Sequence, residues 1–110
     1  IFNANSPLNR ASAINAAQAW ACLADLPKTA TDIEIETTGS AFTREFNISF
    51  KDTPAKISAW ITASPGPNST IPTTDSLGWQ LYEYPPCNQA GFAEVRVSPT
   101  GDKVVIHTYW

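Results

Sequence analysis

Three side chains in the C-terminal third of the sequence could together carry out acid–base chemistry on a phosphodiester. Glu83 offers a general base, His107 a general acid and Arg96 a cation. Cleavage of RNA through a cyclic phosphate needs these functions for the 2′-hydroxyl, for the leaving oxygen and for the charge that develops around phosphorus. Endoribonuclease activity with these catalytic residues is therefore one hypothesis for the chain.

The stretch Phe92–Trp110 is predicted to form one β-hairpin that positions two of these side chains. Apolar and polar residues alternate along both arms, and the Pro-Thr-Gly-Asp sequence between them is typical of a turn. The register places Glu94 opposite His107, most simply as a surface cross-strand pair. Opposed residues on antiparallel strands point to one face, so the predicted outer face carries Glu94, Arg96, His107 and Tyr109.

Short motifs around these residues resemble those of the small secreted guanyl-specific ribonucleases of fungi and bacteria, and of ribonuclease-like secreted effectors. That family has its catalytic glutamate in an aromatic-proline context, as in Glu83-Tyr84-Pro85, and its late histidine in a setting like Val105-Ile106-His107-Thr108. The resemblance covers about residues 82–108. It implies a helix packed on an antiparallel sheet, with Glu83, Arg96 and His107 as the catalytic residues.

The chain also departs from that family. It has no histidine before His107, where the fungal members use one, and no guanine-binding loop is recognisable. If Trp79 and Leu81 fill the core, the alternation of a strand turns Glu83 inward, away from Arg96 and His107. The sequence therefore favours an interaction module on a ribonuclease-like scaffold with an incomplete catalytic set.

The whole chain, residues 1–110, is predicted to be a single α+β domain with one N-terminal helix packed on a twisted antiparallel sheet of five or six strands. The helix is expected to begin at Ser6-Pro7 and to end near Leu26, ahead of a proline. The stretch Ser64–Gly78 is rich in proline and glycine and is predicted to be a loop. The strands before the closing hairpin are predicted at Asp32–Thr37, Phe42–Phe50, Lys56–Ala63 and Trp79–Tyr84.

Aromatic side chains allow a third hypothesis, a carbohydrate-binding module. If Lys56–Ala63 is a strand, Trp60 points outward, where a loop covers it or a partner contacts it. Trp60, Trp79 or Tyr109 could then be stacking platforms for a sugar. The residues predicted to bind a partner are accordingly Glu94, Tyr109 and Trp60. A separate strip of carboxylates is predicted to be a solvated sheet face, with a metal or glycosidase site as the alternative: Glu34, Glu36 and Glu45.

Two cysteines and two sequence triplets predict a secreted, extracellular glycoprotein. Cys22 and Cys87 lie far apart without metal-ligand spacing, so we expect a disulfide that stabilises by about 4 kcal/mol, with two unrelated buried thiols as the alternative. Asn47 and Asn68 each begin an N-x-[ST] acceptor for N-glycosylation. The chain does not begin with methionine, and we expect that a leader has been removed.

The composition of the 110 residues is that of a globular protein with a small negative charge. Seven Lys and Arg residues and a formal net charge of −3 give no basic patch for non-specific binding of nucleic acid, although a local RNA site stays open. No apolar run approaches the roughly 20 residues that span a bilayer. We therefore expect a monomer without membrane contact, cofactor or metal, and with an unknown protein or glycan partner.

Overall fold

The computed structural model describes residues 14–19, 21–39, 44–85 and 91–109. The helices are α1 (14–19), α2 (Pro54–Ala63) and α3 (Pro65–Asn68). The strands are β1 (Thr31–Gly39), β2 (Arg44–Lys51), β3 (Thr73–Thr74), β4 (Gln80–Tyr84), β5 (Phe92–Val97) and β6 (Lys103–Tyr109). They form one antiparallel sheet in the order β1-β2-β6-β5-β4-β3, which confirms the predicted α+β class. The predicted helix start at Ser6-Pro7 and the beginning of the strand predicted from Phe42 lie outside the described residues.

One face of the sheet is apolar and forms the core. Every second residue of the central strands is buried there, and each buried aliphatic or aromatic side chain stabilises by about 1.5–3 kcal/mol. In the closing hairpin, Glu94 pairs with His107 and Arg96 with Val105, which confirms the predicted register. The buried side chains of β2, β5 and β6 are Phe46, Ile48, Phe50, Ala93, Val95, Val97, Val104 and Ile106, together with the polar Thr108.

The turn between β5 and β6 holds this register by local hydrogen bonds. The backbone N–H of Ser98 donates to the carbonyl of Lys103 at 2.9 Å, and Gly101 has a φ of +78°, a conformation that glycine adopts without a steric penalty. The hydroxyls of Thr100 and Ser98 donate to Asp102 at 2.6 and 3.1 Å. These bonds lower the pKa of Asp102, because they favour its charged form.

The strand predicted at Lys56–Ala63 is wrong, because this segment is the helix α2. Thr53 caps it: its hydroxyl accepts a 3.3 Å hydrogen bond from the backbone N–H three residues later, and Pro54 occupies the first turn. Ile57 and Trp60 are buried, a spacing of three that suits a helix and not a strand. The outward orientation predicted for Trp60 is therefore also wrong, since only 4% of this residue is exposed.

The stretch predicted as one long loop, Ser64–Gly78, contains the helix α3 and the short strand β3. Ser64 is buried, and its hydroxyl donates to the carbonyl of Trp60 at 2.8 Å while it accepts from the N–H of Ala24 at 3.0 Å. The N–H of Gly66 donates to the carbonyl of Cys22 at 3.0 Å. The start of this stretch is thus fixed to the segment that follows α1.

The helix α1 ends earlier than predicted, before residue 21 and not near Leu26. Cys22 has a φ of +51°, and the N–H of Leu23 donates to the carbonyl of Gln18 at 2.9 Å. This is a Schellman ending, in which a left-handed residue reverses the chain and satisfies the last carbonyls. Cys22 is not a free thiol. Cys87 lies outside the described residues, so the pairing of the two cysteines stays a prediction.

Stability is expected to fall as the pH rises above about 10, the ordinary pKa of tyrosine. Burial raises the pKa of Tyr84 far above that value, and its hydroxyl donates to the carbonyl of Ala21 at 2.6 Å. The folded state therefore keeps the proton that the unfolded chain loses, so this stabilisation is complete below pH 10 and is lost on going higher. Urea unfolding between pH 7 and 11.5 measures the decline. Tyr84→Phe should flatten it, and an unchanged slope would contradict this origin.

Candidate functional site

The outer face of the sheet carries polar side chains in rows that cross the strands. Arg96 belongs to one row, in which it pairs with Leu81 on β4 and with Val105 on β6. Paired residues of antiparallel strands point to the same face. The three predicted catalytic residues therefore share the outer face of three consecutive strands. The other row consists of Glu83, Glu94, His107 and Asn47, on β4, β5, β6 and β2.

Glu83 does not face inward, because the condition for that orientation, a core filled by Trp79 and Leu81, is not met. Tyr84 is buried and Tyr82 packs against the core, so Glu83 between them is exposed on the opposite face. Two phenol rings, and not Trp79 and Leu81, fill the inner side of β4. A tyrosine is favourable there because the Tyr84 hydroxyl reaches a backbone carbonyl as its hydrogen-bond partner.

His107 has a carboxylate near each nitrogen of its ring. Nε2 lies 2.5 Å from Oε2 of Glu45, and Nδ1 lies 3.9 Å from Oε2 of Glu94. Glu45 approaches from β2 and Glu94 from β5, the two strands that flank β6. Imidazole has only these two nitrogens for hydrogen bonding. Each nitrogen thus has one of the protein's own carboxylates as a neighbour, within hydrogen-bond distance for Nε2 and beyond it for Nδ1.

Glu94 connects His107 with Arg96. Its Oε1 accepts a hydrogen bond from Arg96 Nε at 2.7 Å, and its side chain is only 10% exposed, against 48% for Arg96. A carboxylate buried to that extent needs a charged partner. The pair of Glu94 and His107 is thus not the surface pair that the sequence predicted. The bond to Glu94 uses Nε of Arg96, and the guanidinium has four further N–H groups on its two Nη atoms.

A cleft of about 390 Å³ opens above this network, and we call it the Trp79 cleft. The sheet supplies its floor, and the loop before β4 supplies one wall. It combines an indole ring, an arginine, two carboxylates and an amide, so it can pack against a flat apolar surface and also hydrogen-bond. Its lining residues are Asn47, Asp75, Leu77, Trp79, Glu94, Arg96, Val105 and His107.

The loop wall of the Trp79 cleft is built around Asp75. Its Oδ1 accepts hydrogen bonds from the N–H groups of Leu77 at 2.8 Å and Trp79 at 3.0 Å, and its own N–H donates to the carbonyl of Trp79 at 3.0 Å. Gly78 adopts a φ of +89°, which suits glycine. These bonds close the loop and fix the position of Trp79, the residue just before β4.

An aromatic cluster lies on the same face, next to His107. Phe92 and Tyr109 stack with centroids 5.1 Å apart and an interplanar angle of 15°. The His107 ring lies 5.6 Å from Phe92 and 5.7 Å from Tyr109. Tyr109 is 41% exposed and, as predicted, points to the outer face.

The remaining predicted site residues are scattered. Trp60 lies in the core, so it presents no stacking surface to a ligand. Asn47 lines the Trp79 cleft from a strand paired on both sides, whereas Asn68 is exposed at the end of α3. The predicted disulfide residue Cys87 is not among the described residues.

Sequence reasoning missed Glu45 and Asp75. The sequence predicts that Glu45 belongs to a solvated strip. Nothing local indicates that β2 pairs with β6, which brings the Glu45 carboxylate to His107. Asp75 gave a usable signal, because an aspartate three residues before a glycine is typical of a side-chain-capped turn.

Among residues 14–19, 21–39, 44–85 and 91–109, no three His, Cys, Asp or Glu side chains are grouped as metal ligands. No helix of this part of the chain has the length and apolar character to cross a bilayer. Comparisons of the chain with protein-family models, with curated proteins and with solved structures give no match.

Proposed function

We propose that this protein is a secreted interaction module that binds its partner in the Trp79 cleft, on a ribonuclease-like scaffold that does not cleave RNA. One observation carries the proposal: the Glu94 carboxylate stands between Arg96 and His107, where it accepts a hydrogen bond from Arg96 Nε and lies 3.9 Å from His107 Nδ1. A phosphate oxyanion would need the same two groups, since they are the cation and the acid of the predicted mechanism. The protein's own carboxylate thus lies where a substrate's charge would have to be.

The distances in this network oppose catalysis. In a phosphoryl transfer the attacking and leaving oxygens are roughly in line, so a base and an acid must stand on opposite sides of phosphorus. The predicted base Glu83 lies on β4 and the predicted acid His107 on β6, and Glu94 stands on β5 between them, with its Oε2 3.9 Å from His107 Nδ1. The other nitrogen of His107 is directed at Glu45. Binding a partner in the Trp79 cleft does not require Glu94, Arg96 and His107 to move apart.

An exposed apolar residue of the cleft supports a partner of some size. Leu77 is 75% exposed and belongs to the loop that leads into β4. Single exposed apolar residues are ordinary on a protein surface. Here Leu77 also lines the Trp79 cleft, so a ligand that fills the cleft also covers this side chain.

A cleavage assay tests the proposal directly. Purified protein is incubated with a mixed-sequence RNA, and the products are separated on a denaturing gel beside those of His107→Ala. We expect no cleavage by either protein above the buffer control. Robust cleavage by the wild type that disappears in His107→Ala would overturn the proposal.

The second candidate function is an active endoribonuclease, and one observation favours it. Glu83, Arg96 and His107 lie on the same face of β4, β5 and β6. Strands are about 4.8 Å apart, so Glu83 and His107, two strands apart, are separated by roughly 10 Å at the backbone, enough to flank a phosphodiester. In this mechanism Glu94 swings away when RNA binds. Equal loss of cleavage in Glu83→Gln and His107→Ala would be its signature.

Removing the charge of Glu94 is expected to raise the affinity for inorganic phosphate by about tenfold, because Arg96 and His107 then lack their competing carboxylate. The chain has a single histidine, so a proton NMR titration follows its ring without ambiguity. The variant is Glu94→Gln, and Glu83→Gln is the matched control that removes the same charge one strand away. An equal change of phosphate affinity in both variants, or no change in either, would contradict a specific role for Glu94.

Secretion through an oxidising compartment, with a Cys22–Cys87 disulfide, is part of the proposal, as is an effector-like role.

Of the two acceptor triplets, we expect a glycan on Asn68, because it is exposed, and none on Asn47, because it lies within the sheet. Mass spectrometry of peptides from protein secreted by a eukaryotic host measures both. A glycan on Asn47 would contradict the expectation and would fill the cleft.

A further inference from the structure

We propose that the ligand of the Trp79 cleft is a neutral, hydroxyl-rich saccharide that packs one ring on the indole of Trp79. The inference rests on the proposed function, since it names the ligand of that same site. A pyranose ring has an apolar face of C–H groups and a rim of hydroxyls. The cleft offers an indole for the first and a set of fixed polar groups for the second.

The polar groups of the cleft are mixed in a way that suits hydroxyls. Arg96 offers its Nη donors, Asp75 its second oxygen Oδ2 as an acceptor, and Asn47 an amide that does both. A hydroxyl also both donates and accepts, so it can use every one of these groups. An ammonium ion only donates and would face Arg96. A phosphate only accepts and would face Asp75 and Glu94.

The charges next to the cleft also favour a neutral ligand over a polyanion. A second hollow of about 440 Å³ continues across the outer face toward β1 and shares Asn47 and Val105 with the Trp79 cleft. Its charged lining residues are Glu34, Glu36 and Lys103. Carboxylates outnumber cations along this path, which disfavours a polyanion such as RNA. The adjacent hollows fit a short linear chain of several sugar units better than a single ring.

The site is also held by hydrogen bonds of its own, without a ligand. The hydrogen bonds to Asp75 fix the loop that presents Trp79, and Glu94 fixes Arg96 through its Nε. A saccharide has few groups that bind strongly, so a preformed site matters more for it than for a protein partner, because ordering the site on binding would lower the affinity.

The experiment measures binding of defined hexasaccharides to non-glycosylated, oxidised protein by isothermal titration calorimetry and NMR. The neutral probes are cellohexaose, xylohexaose, mannohexaose and N-acetylchitohexaose, and the charged controls are hexagalacturonate and fully deacetylated chitosan hexamer. We expect at least one neutral probe to bind with a Kd of about 1 mM or below. Trp79→Ala and Asn47→Ala should each weaken that binding by about tenfold or more. Ile71→Ala, a change outside the cleft, should leave it unaltered.

The outcomes separate this inference from the proposed function. Absence of binding by all four neutral probes, preference for either charged probe, or binding that survives both cleft substitutions would overturn the saccharide assignment. None of these results restores RNA cleavage, so the interaction module would stand with another partner. Cleavage of RNA that depends on His107 would instead overturn the proposed function, whatever the saccharides do.

Discussion

Trp60→Ala is expected to lower the free energy of unfolding by about 3–5 kcal/mol, the range for truncating a buried tryptophan. The Trp60 ring packs edge-on against Phe50, with centroids 5.3 Å apart, and Nε1 donates to the carbonyl of Ala24 at 3.1 Å. The truncation therefore leaves a cavity between α2 and the sheet and a carbonyl without its donor. Domains of this size have total stabilities of about 5–15 kcal/mol, so the variant would be near the limit of folding.

Urea unfolding followed by far-UV circular dichroism measures this loss. Trp79→Ala is the matched control, because it is the same substitution in a partly exposed residue on the outer face, and we expect it to cost about 1 kcal/mol. Trp60→Phe keeps most of the packing and removes only the N–H, so it should fold and lose about 1–2 kcal/mol. Similar losses at positions 60 and 79 would mean that Trp60 is not in the core.

The inner and outer faces of the closing hairpin could be predicted from the sequence because strand parity is local. Once the turn pairs Ser98 with Lys103, every later pair is fixed, and the placement of Glu94, Arg96 and His107 on one face follows. Two consecutive strands and their turn contain all the information needed. This is the part of the candidate site that the sequence determines.

The error at α2 arose where two periodicities compete. The segment from Lys56 to Ala63 has apolar residues at alternate positions, which resembles a strand, but it also has Ile57, Trp60 and Ile61 at helical spacing. Thr53-Pro54 is a helix start, and that local signal agrees with the structure. Giving the cap more weight than the alternation would have placed Trp60 in the core.

The rest of the site depends on the order of strands in the sheet, which no local pattern encodes. Glu45 reaches His107 only because β2 pairs with β6, a strand more than fifty residues later in the chain. Similarly, Glu83 faces outward because its neighbour Tyr84 is buried and donates its hydroxyl hydrogen bond to the Ala21 carbonyl, on the segment after α1. Both outcomes are tertiary, and both change what the outer face can do chemically.

These tertiary contacts are the observations that favour the proposed binding role over RNA cleavage. The same parity that brings Arg96 and His107 together places Glu94 between them, and the pairing of β2 with β6 adds Glu45. The result is a network of ionisable side chains beneath an open cleft. Such a floor holds Glu94 and His107 in place and leaves a ligand the loop wall, the amide of Asn47 and the Nη atoms of Arg96.

Gly66→Ala is expected to destabilise the fold by about 3 kcal/mol, the upper end for overpacking. A Cβ at Gly66 would overlap Tyr84 Cε2, lie 2.7 Å from Tyr84 Cζ and lie 2.9 Å from the carbonyl oxygen of Ala21. These are the atoms of a buried junction where α3, β4 and the end of α1 meet. The methyl group would displace the Tyr84 ring and break its hydrogen bond to Ala21.

A double-mutant cycle tests this mechanism by urea unfolding. In a Tyr84→Ala background the ring is gone and only the contact with the Ala21 carbonyl oxygen stays, so Gly66→Ala should cost less than in the wild type, by about 1 kcal/mol or more. Asn68→Ala, an exposed change in the same short helix, is the control and should alter stability by no more than about 0.5 kcal/mol. If Gly66→Ala cost the same with and without the Tyr84 ring, the close packing at this junction could not be its cause. If it cost nothing in the wild type, α3 would not lie against β4 as described.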